Sequence, residues 1–377
     1  MLEEINPWWK EREWWENDYD LKKFENMKIK WLPEWIDKIS LEPFSLNFVL
    51  GPRQVGKTTG IKLLIKSLIE EGENPRTILY VNCDLLTSFK ELRNLLEKSK
   101  NYKTIFLDEV SSIEYWWKVV KGFIDAGFFA KSTITISGSS SLKVGKFVEA
   151  FSGRRGKGRE IFVLPLTFKE FFQILNYKKE EKEVALEDFI RLGGFPRSIN
   201  QDPTFFQDFV SSIEKEFARI NKNYRIAREI IYQLLLKTPS PLGYNTIGNA
   251  IGISHVTVRE YLEILENLFL IGIAYYKKGK TVDFKKEKKI FFRDPFIPKV
   301  FSKIFGVELR KDAIYEWIVQ DNLLRKFGEV YYFRNRYEID CIAGDLKIEV
   351  KAGKPHRAYP KDVIILDKED LAEFLLK

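Results

Sequence analysis

A glycine-rich segment at residues 51–58 constrains the fold of this chain more than any other feature of its 377 residues. Its sequence, GPRQVGKT, fits the pattern G-x-x-x-x-G-K-[ST] and stands between an apolar run and a helical pattern. In that context the glycines let backbone N–H groups wrap a phosphate, and the helix N-terminus adds partial positive charge. The segment therefore predicts a P-loop, the phosphate-binding loop of nucleotide-binding α/β folds.

Short runs rich in Ile, Val and Phe alternate with helical patterns through the first half of the chain. They are LNFVLG at 46–51, TILYVNCD at 77–84, TIFLDEV at 104–110, TITISGSS at 133–140 and EIFVLPL at 160–166. Continuous apolar strands separated by helices are typical of a parallel sheet that is buried on both faces. The fold class predicted for this half is α/β.

The residues of the predicted P-loop have expected roles toward ATP and Mg²⁺. Lys57 would reach the β- and γ-phosphates, and the Thr58 hydroxyl would ligate Mg²⁺. Ser139, at the end of another strand, would hydrogen-bond the γ-phosphate or the attacking water, and an ordinary Ser-rich turn is the alternative. The residues expected to contact the nucleotide are Gly51, Pro52, Arg53, Gln54, Val55, Gly56, Lys57, Thr58, Thr59 and Ser139.

Two acidic residues follow the apolar run at 104–107. Asp108 would emerge at the carboxyl end of a buried strand, where ligands bind in open α/β sheets, and would hold Mg²⁺ through water. Glu109 would polarise the attacking water, and this second acid favours hydrolysis over binding alone. Arg154 is the candidate for neutralising transition-state charge, in cis or from a neighbouring subunit, and a surface arginine is the alternative.

Residues 244–271 predict a helix, a turn and a second helix, followed by a basic wing. Gly252 would make the turn, and Ser254 would cap the second helix. The residues that would face a DNA major groove are His255, Thr257 and Arg259. The lysines of the wing suit phosphates better than bases. DNA contact and a role as a lid or interaction module both remain open.

The stretch YEIDCIAGDLKIEVKAGK near the end of the chain predicts a hairpin with two facing carboxylates. A two-residue turn at 344–345 would set Asp340 opposite Glu349. Opposed Cβ atoms lie about 4.5–5.5 Å apart, so the two carboxylates repel unless a cation lies between them. The hairpin therefore predicts a Mg²⁺ site at Asp340 and Glu349, with Lys351 positioning or activating a water.

The residues around this hairpin leave alternatives open. Glu316, in a helical pattern, is a candidate extra acid, and a helix-surface salt bridge is its alternative. His356 is a candidate phosphate contact, and a structural histidine is its alternative. The alternative for the hairpin is a solvated face with a Glu338–Lys351 pair, which leaves Asp340 facing Glu349 unexplained.

The ordered motifs resemble those of the predicted AAA+-type P-loop ATPases of archaea and bacteria that carry a C-terminal PD-(D/E)xK nuclease-like domain. The motifs are GPRQVGKTT, IFLDEV, ISGSSS, GR at 153–154, PLTFKEF at 165–171 and GGFP at 193–196. The resemblance implies an AAA+ core, a winged-helix middle and a nuclease-like end, with residues 193–196 in a lid near the nucleotide.

The patterns divide the chain into three predicted domains. Residues 1–200 are expected to form the ATPase domain, which includes an N-terminal Trp-rich helical segment. Residues 201–295 are expected to form a helical lid and winged-helix domain, and residues 296–377 an α+β nuclease-like domain. The Trp-rich segment is expected to pack on the ATPase core, and a partner surface is its alternative.

Composition narrows the expected location and partners. No apolar run reaches the length of a membrane span, and the charged N-terminus lacks the apolar core of a signal peptide, so we expect a cytoplasmic protein. Two cysteines, Cys83 and Cys341, exclude a disulfide framework or a zinc site made by them alone. The net charge is +8, with dense basic runs at 153–159, 277–280 and 285–289. DNA is therefore a candidate partner.

Together these observations predict an ATP-hydrolysing enzyme of AAA+ type that acts on nucleic acid. The alternative is an ATP-gated signalling or interaction switch with a catalytically inactive C-terminal platform. Whether the chain forms a homo-oligomer stays open.

Overall fold

The computed structural model describes residues 2–139, 149–351 and 359–377. They form two compact units that divide between Leu164 and Pro165. His356 and the last two serines of the ISGSSS motif, at 140–141, lie outside the described residues.

The first unit is an α/β fold built on a parallel sheet. Its strands are β1 (Ser45–Leu50), β2 (Ile78–Asn82), β3 (Thr104–Asp108), β4 (Thr133–Gly138) and β5 (Glu160–Phe162). Its helices are α1 (Leu2–Ile5), α2 (Tyr19–Glu25), α3 (Lys57–Glu70), α4 (Phe89–Glu97) and α5 (Trp116–Asp125). The strands pair in parallel in the order β2-β3-β4-β1-β5. The predicted α/β sheet is thus confirmed, and the carboxyl ends of β1, β4 and β3 meet at one edge.

Tryptophans of the N-terminal segment lie in the core of this unit. Trp8, Trp14 and Trp35 are buried against the apolar face of α3. That face carries the helically spaced residues Ile61, Leu64, Ile65 and Leu68. A Cβ at Gly60 would lie 2.2 Å from the Trp35 ring, so only glycine permits this contact. The expectation that the Trp-rich segment packs on the ATPase core is confirmed for these three side chains.

The second unit combines helices with a mixed sheet. Its helices are α6 (Phe168–Ile174), α7 (Lys182–Leu192), α8 (Pro196–Ile199), α9 (Phe205–Arg219), α10 (Tyr224–Lys237), α11 (Tyr244–Ile251), α12 (His255–Asn267), α13 (Phe296–Phe305), α14 (Lys311–Phe327) and α15 (Lys368–Leu376). Its strands are β6 (Ile271–Lys278), β7 (Thr281–Asp283), β8 (Lys289–Phe292), β9 (Tyr331–Arg334), β10 (Glu338–Ala343), β11 (Leu346–Val350) and β12 (Ile364–Leu366).

One sheet connects the basic hairpin with the C-terminal strands. Its strand order is β12-β11-β10-β9-β6-β7, and β8 also pairs with β6. The parallel pairing of β6 with β9 joins strands from both sides of the predicted domain boundary at 295–296. The hairpin of β6 and β7 and the strands that carry Asp340 and Glu349 therefore belong to the same unit.

The helix, turn and helix expected at 244–271 are present as α11 and α12. Gly252 has a φ of +72°, in the left-handed region that glycine favours. The Ser254 hydroxyl accepts a hydrogen bond from the Thr257 backbone N–H at 3.1 Å and so caps α12. One face of α12 is buried, including Val258 and Leu262.

Candidate functional site

The P-loop runs from the end of β1 into α3. A Cβ at Gly51 would lie 1.9 Å from the Val163 carbonyl oxygen, so the close approach of two backbone segments requires glycine. Gly56 has a φ of +96°, and no side chain caps the first turn of α3. The helix N-terminus therefore keeps its partial positive charge where a phosphate would bind.

Lys57 is held inside the P-loop by the loop's own carbonyl groups. Its ammonium donates to the carbonyl oxygens of Gly51 at 2.9 Å and Pro52 at 2.8 Å. The side chain is only 4% exposed, and Nζ lies 3.8 Å from Glu109 Oε1. The structure thus brings the lysine predicted to bind phosphate next to the acid predicted to polarise water.

Asp108 accepts hydrogen bonds from three hydroxyl groups. Thr58 Oγ1 donates to Oδ2 at 2.7 Å, and the Tyr80 hydroxyl donates to the same oxygen at 2.8 Å. Ser137 donates to Oδ1. Burial and, second, the Glu109 carboxylate raise the pKa of Asp108, while these hydrogen bonds oppose the rise.

Sequence reasoning found Thr58 and Asp108 and missed Tyr80 and Ser137. Both missed residues lie on strands that flank β3, within the runs TILYVNCD and TITISG. Their polar side chains near the carboxyl ends of apolar strands were the available signal.

Thr58 and Asp108 fit a magnesium ion. Their oxygen atoms lie 2.7 Å apart, and a hydroxyl with a carboxylate is a hard oxygen donor set of the kind Mg²⁺ prefers. When bound, the ion would supply positive charge to the phosphate oxygens of a nucleotide.

Glu109 lies between two cationic side chains. Arg53 Nη2 is 3.8 Å from Glu109 Oε2, on the other side of the carboxylate from Lys57. Glu109 has a φ of +53°, and its backbone N–H donates to Ser137 Oγ at 3.0 Å. Ser139 is buried just after β4, the strand between β1 and β3. The structure therefore gathers Arg53, Lys57 and Glu109 in one site.

Arg154, the candidate for transition-state charge, pairs with an acid outside this group. Its Nε donates to Asp125 Oδ1 at 2.5 Å, and Asp125 is the last residue of α5. The side chain is 36% exposed. Its catalytic role stays a prediction.

The C-terminal hairpin has the register that the sequence predicts. Ala343 pairs with Leu346, and Cys341 pairs with Ile348, around a turn in which Gly344 has a φ of +55°. The next position of this register sets Asp340 opposite Glu349, and both side chains are buried. The alternative interpretation, a solvated face, is therefore wrong for these two carboxylates. Helix α14 packs over β10.

A lysine that sequence reasoning missed lies among these acids. Lys289, at the start of β8, is 2% exposed, and its Nζ donates to Glu316 Oε1 at 2.9 Å and to Asp340 Oδ1. It also lies 2.9 Å from Glu338 Oε1. Burial alone lowers the pKa of Lys289, but the three carboxylates outweigh burial and hold the pKa well above its usual value. Lys289 is the last residue of the basic run at 285–289 and the first of the apolar strand KIFF, and neither position indicates a buried lysine.

Glu349 is held by different partners. Lys351 Nζ and the Tyr359 hydroxyl both donate to Glu349 Oε1, the latter at 2.8 Å. Oε2 is buried and has no hydrogen-bond partner in the described part of the chain. Burial and, second, the Asp340 carboxylate raise the pKa of Glu349 to about 7.

Lys289 contacts Glu316, Glu338 and Asp340, and Lys351 contacts Glu349, an arrangement that does not fit a divalent ion while the lysines are in place. Across residues 2–139, 149–351 and 359–377, no three His, Cys, Asp or Glu side chains are grouped so that they could hold a metal. The metal roles of Asp340 and Glu349 stay predictions, as do the catalytic roles of both residues and of Lys351.

Within the described ranges, no helix combines the length and the apolar character that crossing a membrane requires.

Family comparisons identify two segments of the chain. Residues 44–172 match the family described as AAA domain, and residues 183–306 match a domain of unknown function. The P-loop and the five-stranded parallel sheet both lie within the first of these segments, in agreement with its match to an AAA domain.

Two relatives span most of the chain. An uncharacterised protein of Methanocaldococcus jannaschii is 27% identical over 349 residues, which are 81% of this chain and 73% of the relative. An uncharacterised protein of Haemophilus influenzae is 26% identical over 372 residues, which are 88% of this chain and 88% of the relative.

Two of the matches among solved structures align with most of this chain at low TM-scores. The Thermotoga maritima RuvB Holliday junction branch migration motor has a TM-score of 0.35 and 16% identity, covering 71% of this chain and 88% of its own. The Aeropyrum pernix ORC2 protein has a TM-score of 0.41 and 13% identity, covering 71% of this chain and 89% of its own.

Proposed function

We propose that the protein hydrolyses ATP at the P-loop and acts on nucleic acid through its second unit. The observation that supports hydrolysis is the position of Glu109, whose carboxylate lies 3.8 Å from Lys57 Nζ and follows Asp108 in the chain. A site that only binds nucleotide needs the lysine and the loop amides, but it has no need of a second acid beside them.

The residues of the first unit divide the work of the proposed reaction. The P-loop amides and Lys57 bind and neutralise the phosphates, and Thr58 and Asp108 would hold Mg²⁺. Glu109 orients the attacking water and accepts its proton, and Lys57 and Arg53 each lie 3.8 Å from its carboxylate. We propose that Arg154 leaves Asp125 and adds positive charge to the transition state, from the same or a neighbouring subunit.

Two substitutions separate ATP binding from ATP hydrolysis. Lys57→Ala should abolish both, whereas Glu109→Gln should bind ATP with Mg²⁺ normally and turn over about 10²- to 10⁴-fold more slowly, the range for removal of a general base. Equilibrium binding of a fluorescent ATP analogue and single-turnover hydrolysis measure the two effects.

Glu114→Gln is the matched control, because it makes the same change at an exposed acid five residues away. A Glu109→Gln variant that turns over ATP like the wild type would overturn the assigned role. No affinity of the wild type for ATP with Mg²⁺ would overturn the proposed activity altogether.

The basic hairpin of β6 and β7 supports a nucleic-acid partner. It carries exposed lysines on both sides of its turn and just beyond it, at Lys278, Lys280, Lys285 and Lys286. Phe284 is 67% exposed, and its ring packs edge-on against Tyr275 at 5.1 Å between centroids. Lysines beside an exposed aromatic ring combine charge for phosphates with a surface for stacking bases. We propose that this hairpin is the wing of a winged-helix domain.

Charge reversal on the hairpin tests this interaction. Lys278→Glu, Lys280→Glu and Lys285→Glu together should weaken DNA binding and make the slope of log affinity against log salt shallower, by about 0.9 for each phosphate that the hairpin no longer neutralises. Fluorescence anisotropy with single- and double-stranded DNA at several salt concentrations measures both quantities.

The matched control makes the same change in net charge in the first unit, at the exposed residues Lys90, Lys98 and Lys131. An equal decrease of DNA affinity in the two triple variants would show only a general charge effect and would contradict specific binding by the hairpin.

Lys289 favours a second candidate function, an ATP-gated switch whose C-terminal part does not cut. A lysine bonded to Asp340 and Glu316 already occupies the position between those carboxylates that a metal ion would take. DNA incubated with Mg²⁺ or Mn²⁺ should then stay intact with the wild type and with Asp340→Ala alike, in every nucleotide state. Cleavage by the wild type that Asp340→Ala abolishes would instead support a nuclease.

A further inference from the structure

The acidic cluster of the second unit consists of Glu316, Glu338, Asp340 and Glu349, with Lys289 inside it. The Lys289 ammonium lies within 2.9 Å of one oxygen from each of the first three acids. Those acids come from α14 and β10, and Lys289 comes from β8, so segments far apart in the sequence converge on a single ammonium.

The ammonium matches the number of acceptors that surround it. A lysine has three N–H donors, and three carboxylate oxygens are within reach of Nζ. Gln320 also donates to Glu316 Oε1, at 2.8 Å, and the second oxygen of Asp340, Oδ2, accepts from the Val350 N–H at 2.9 Å. Buried carboxylates without such a cation would repel one another strongly.

The distances around Nζ are close to those around a divalent ion. Calcium–oxygen distances are about 2.3–2.6 Å, so the two glutamate oxygens, at 2.9 Å from Nζ, would need to move inward by a few tenths of an ångström to ligate such an ion, whereas the Asp340 oxygen already lies at 2.5 Å. A second observation points the same way. Glu349 Oε2 is buried, the residue is 1% exposed, and no side chain or N–H of the described residues donates to this oxygen.

We propose that Lys289 is the resident cation of this cluster and that it excludes a divalent metal ion from the position between Glu316 and Asp340. Replacement of the ammonium by an uncharged side chain converts the cluster into a divalent-cation site, with Glu349 as an additional ligand. This inference deepens the second candidate function and rests on it, because it gives the physical reason why the C-terminal part would not cut. It does not depend on ATP hydrolysis.

Manganese binding tests the proposal directly. Nucleotide-free wild type and Lys289→Met are titrated with Mn²⁺, followed by electron paramagnetic resonance of the free ion and by thermal unfolding. In the wild type, no Mn²⁺ site should depend on Asp340, so Asp340→Asn should leave Mn²⁺ binding unchanged. Lys289→Met should gain one Asp340-dependent site, with affinity at least tenfold above the wild type, and Mn²⁺ should raise its melting temperature.

Lys285→Met is the matched control, since it removes an exposed lysine of the same basic run and should gain no site. An Asp340-dependent Mn²⁺ site in the wild type would overturn the proposal. So would a folded Lys289→Met that binds Mn²⁺ no better than the control.

A Lys289→Met variant that folds poorly still gives a result. Refolding that requires Mn²⁺ would support the proposal, because the ion would then replace the ammonium. If Mn²⁺ does not restore folding, the double variant Lys289→Met/Glu316→Gln, which has one buried acid fewer, decides: a gain of Asp340-dependent Mn²⁺ binding supports the proposal and no gain overturns it. ATP binding, measured on the same samples, distinguishes these failures from a failure of the proposed ATPase.

Discussion

Asp294 shows how one buried carboxylate orders two distant backbone segments. Its Oδ2 accepts from the Gly194 N–H at 2.7 Å, and its Oδ1 accepts from the Phe296 N–H at 2.8 Å. A Cβ at Gly193 would lie 2.2 Å from Asp294 Oδ1, and one at Gly194 would lie 2.1 Å from the Leu166 carbonyl oxygen. Packing within the second unit therefore explains both glycines of the GGFP motif, and the lid role implied for that motif stays a prediction.

The Asp294 carboxyl makes the stability of the second unit depend on pH. Burial raises the pKa of Asp294 from 3.8 to about 7. The folded state thus holds the proton more tightly than the unfolded state. The resulting stability is fully present below about pH 4 and is lost as the pH rises through about 7. Urea unfolding from pH 5 to pH 8 should show this fall in the wild type.

Asp294→Asn should be less stable at pH 5, because an amide cannot accept hydrogen bonds at both positions, and its stability should fall less steeply with pH. The pKa values of Glu266 and Glu349 are also raised to about 7. These two groups therefore still make the stability of the variant fall with pH. Identical slopes for variant and wild type would contradict the assignment to Asp294.

At the scale of elements, the N-terminal segment covers one edge of the parallel sheet. Strand β2 is one of the two edge strands, and Asn6 bonds both backbone groups of its central residue, Tyr80. Asn6 Nδ2 donates to the Tyr80 carbonyl oxygen at 3.0 Å, and the Tyr80 N–H donates to Asn6 Oδ1 at 2.7 Å. The indole N–H groups of Trp8 and Trp9 both donate to the Ile78 carbonyl oxygen. Side chains thus replace a further strand at this edge and prevent it from pairing with another chain.

Asn6→Ala should destabilise the first unit by about 2–4 kcal/mol, because it leaves two buried backbone groups of Tyr80 without partners. Denaturant unfolding measures this destabilisation. Asn17→Ala is the control, since Asn17 is exposed and its replacement should change stability by less than about 0.5 kcal/mol. Equal effects of the two substitutions would show that Asn6 does not support the edge.

At the scale of the whole molecule, the two units carry different chemistry. The first holds the P-loop, Asp108 and Glu109, and the second holds the basic hairpin and the acidic cluster around Lys289. Each unit has its own buried core, so ligands of one unit should act on the unfolding of that unit.

ATP with Mg²⁺ should therefore stabilise the first unit. At an ATP concentration 100 times the dissociation constant the gain should be about 2.7 kcal/mol, seen by calorimetry as a higher melting temperature for the transition of this unit. Lys57→Ala should show no shift, whereas Lys285→Met should shift like the wild type. A shift that persists in Lys57→Ala would place the nucleotide elsewhere.

The sequence by itself determined the P-loop, the parallel sheet, the acids after β3 and the register of the C-terminal hairpin. Each of these depends on residues close together in the chain, such as a glycine that permits a turn or apolar residues with a regular period. Only the tertiary structure decided that Lys289 lies between Glu316 and Asp340, that Tyr80 and Ser137 bond Asp108, and that Asn6 closes the edge of β2. A lysine in a basic run and an asparagine near a terminus have no local pattern that reveals a buried partner, because the contact forms only when distant segments pack together.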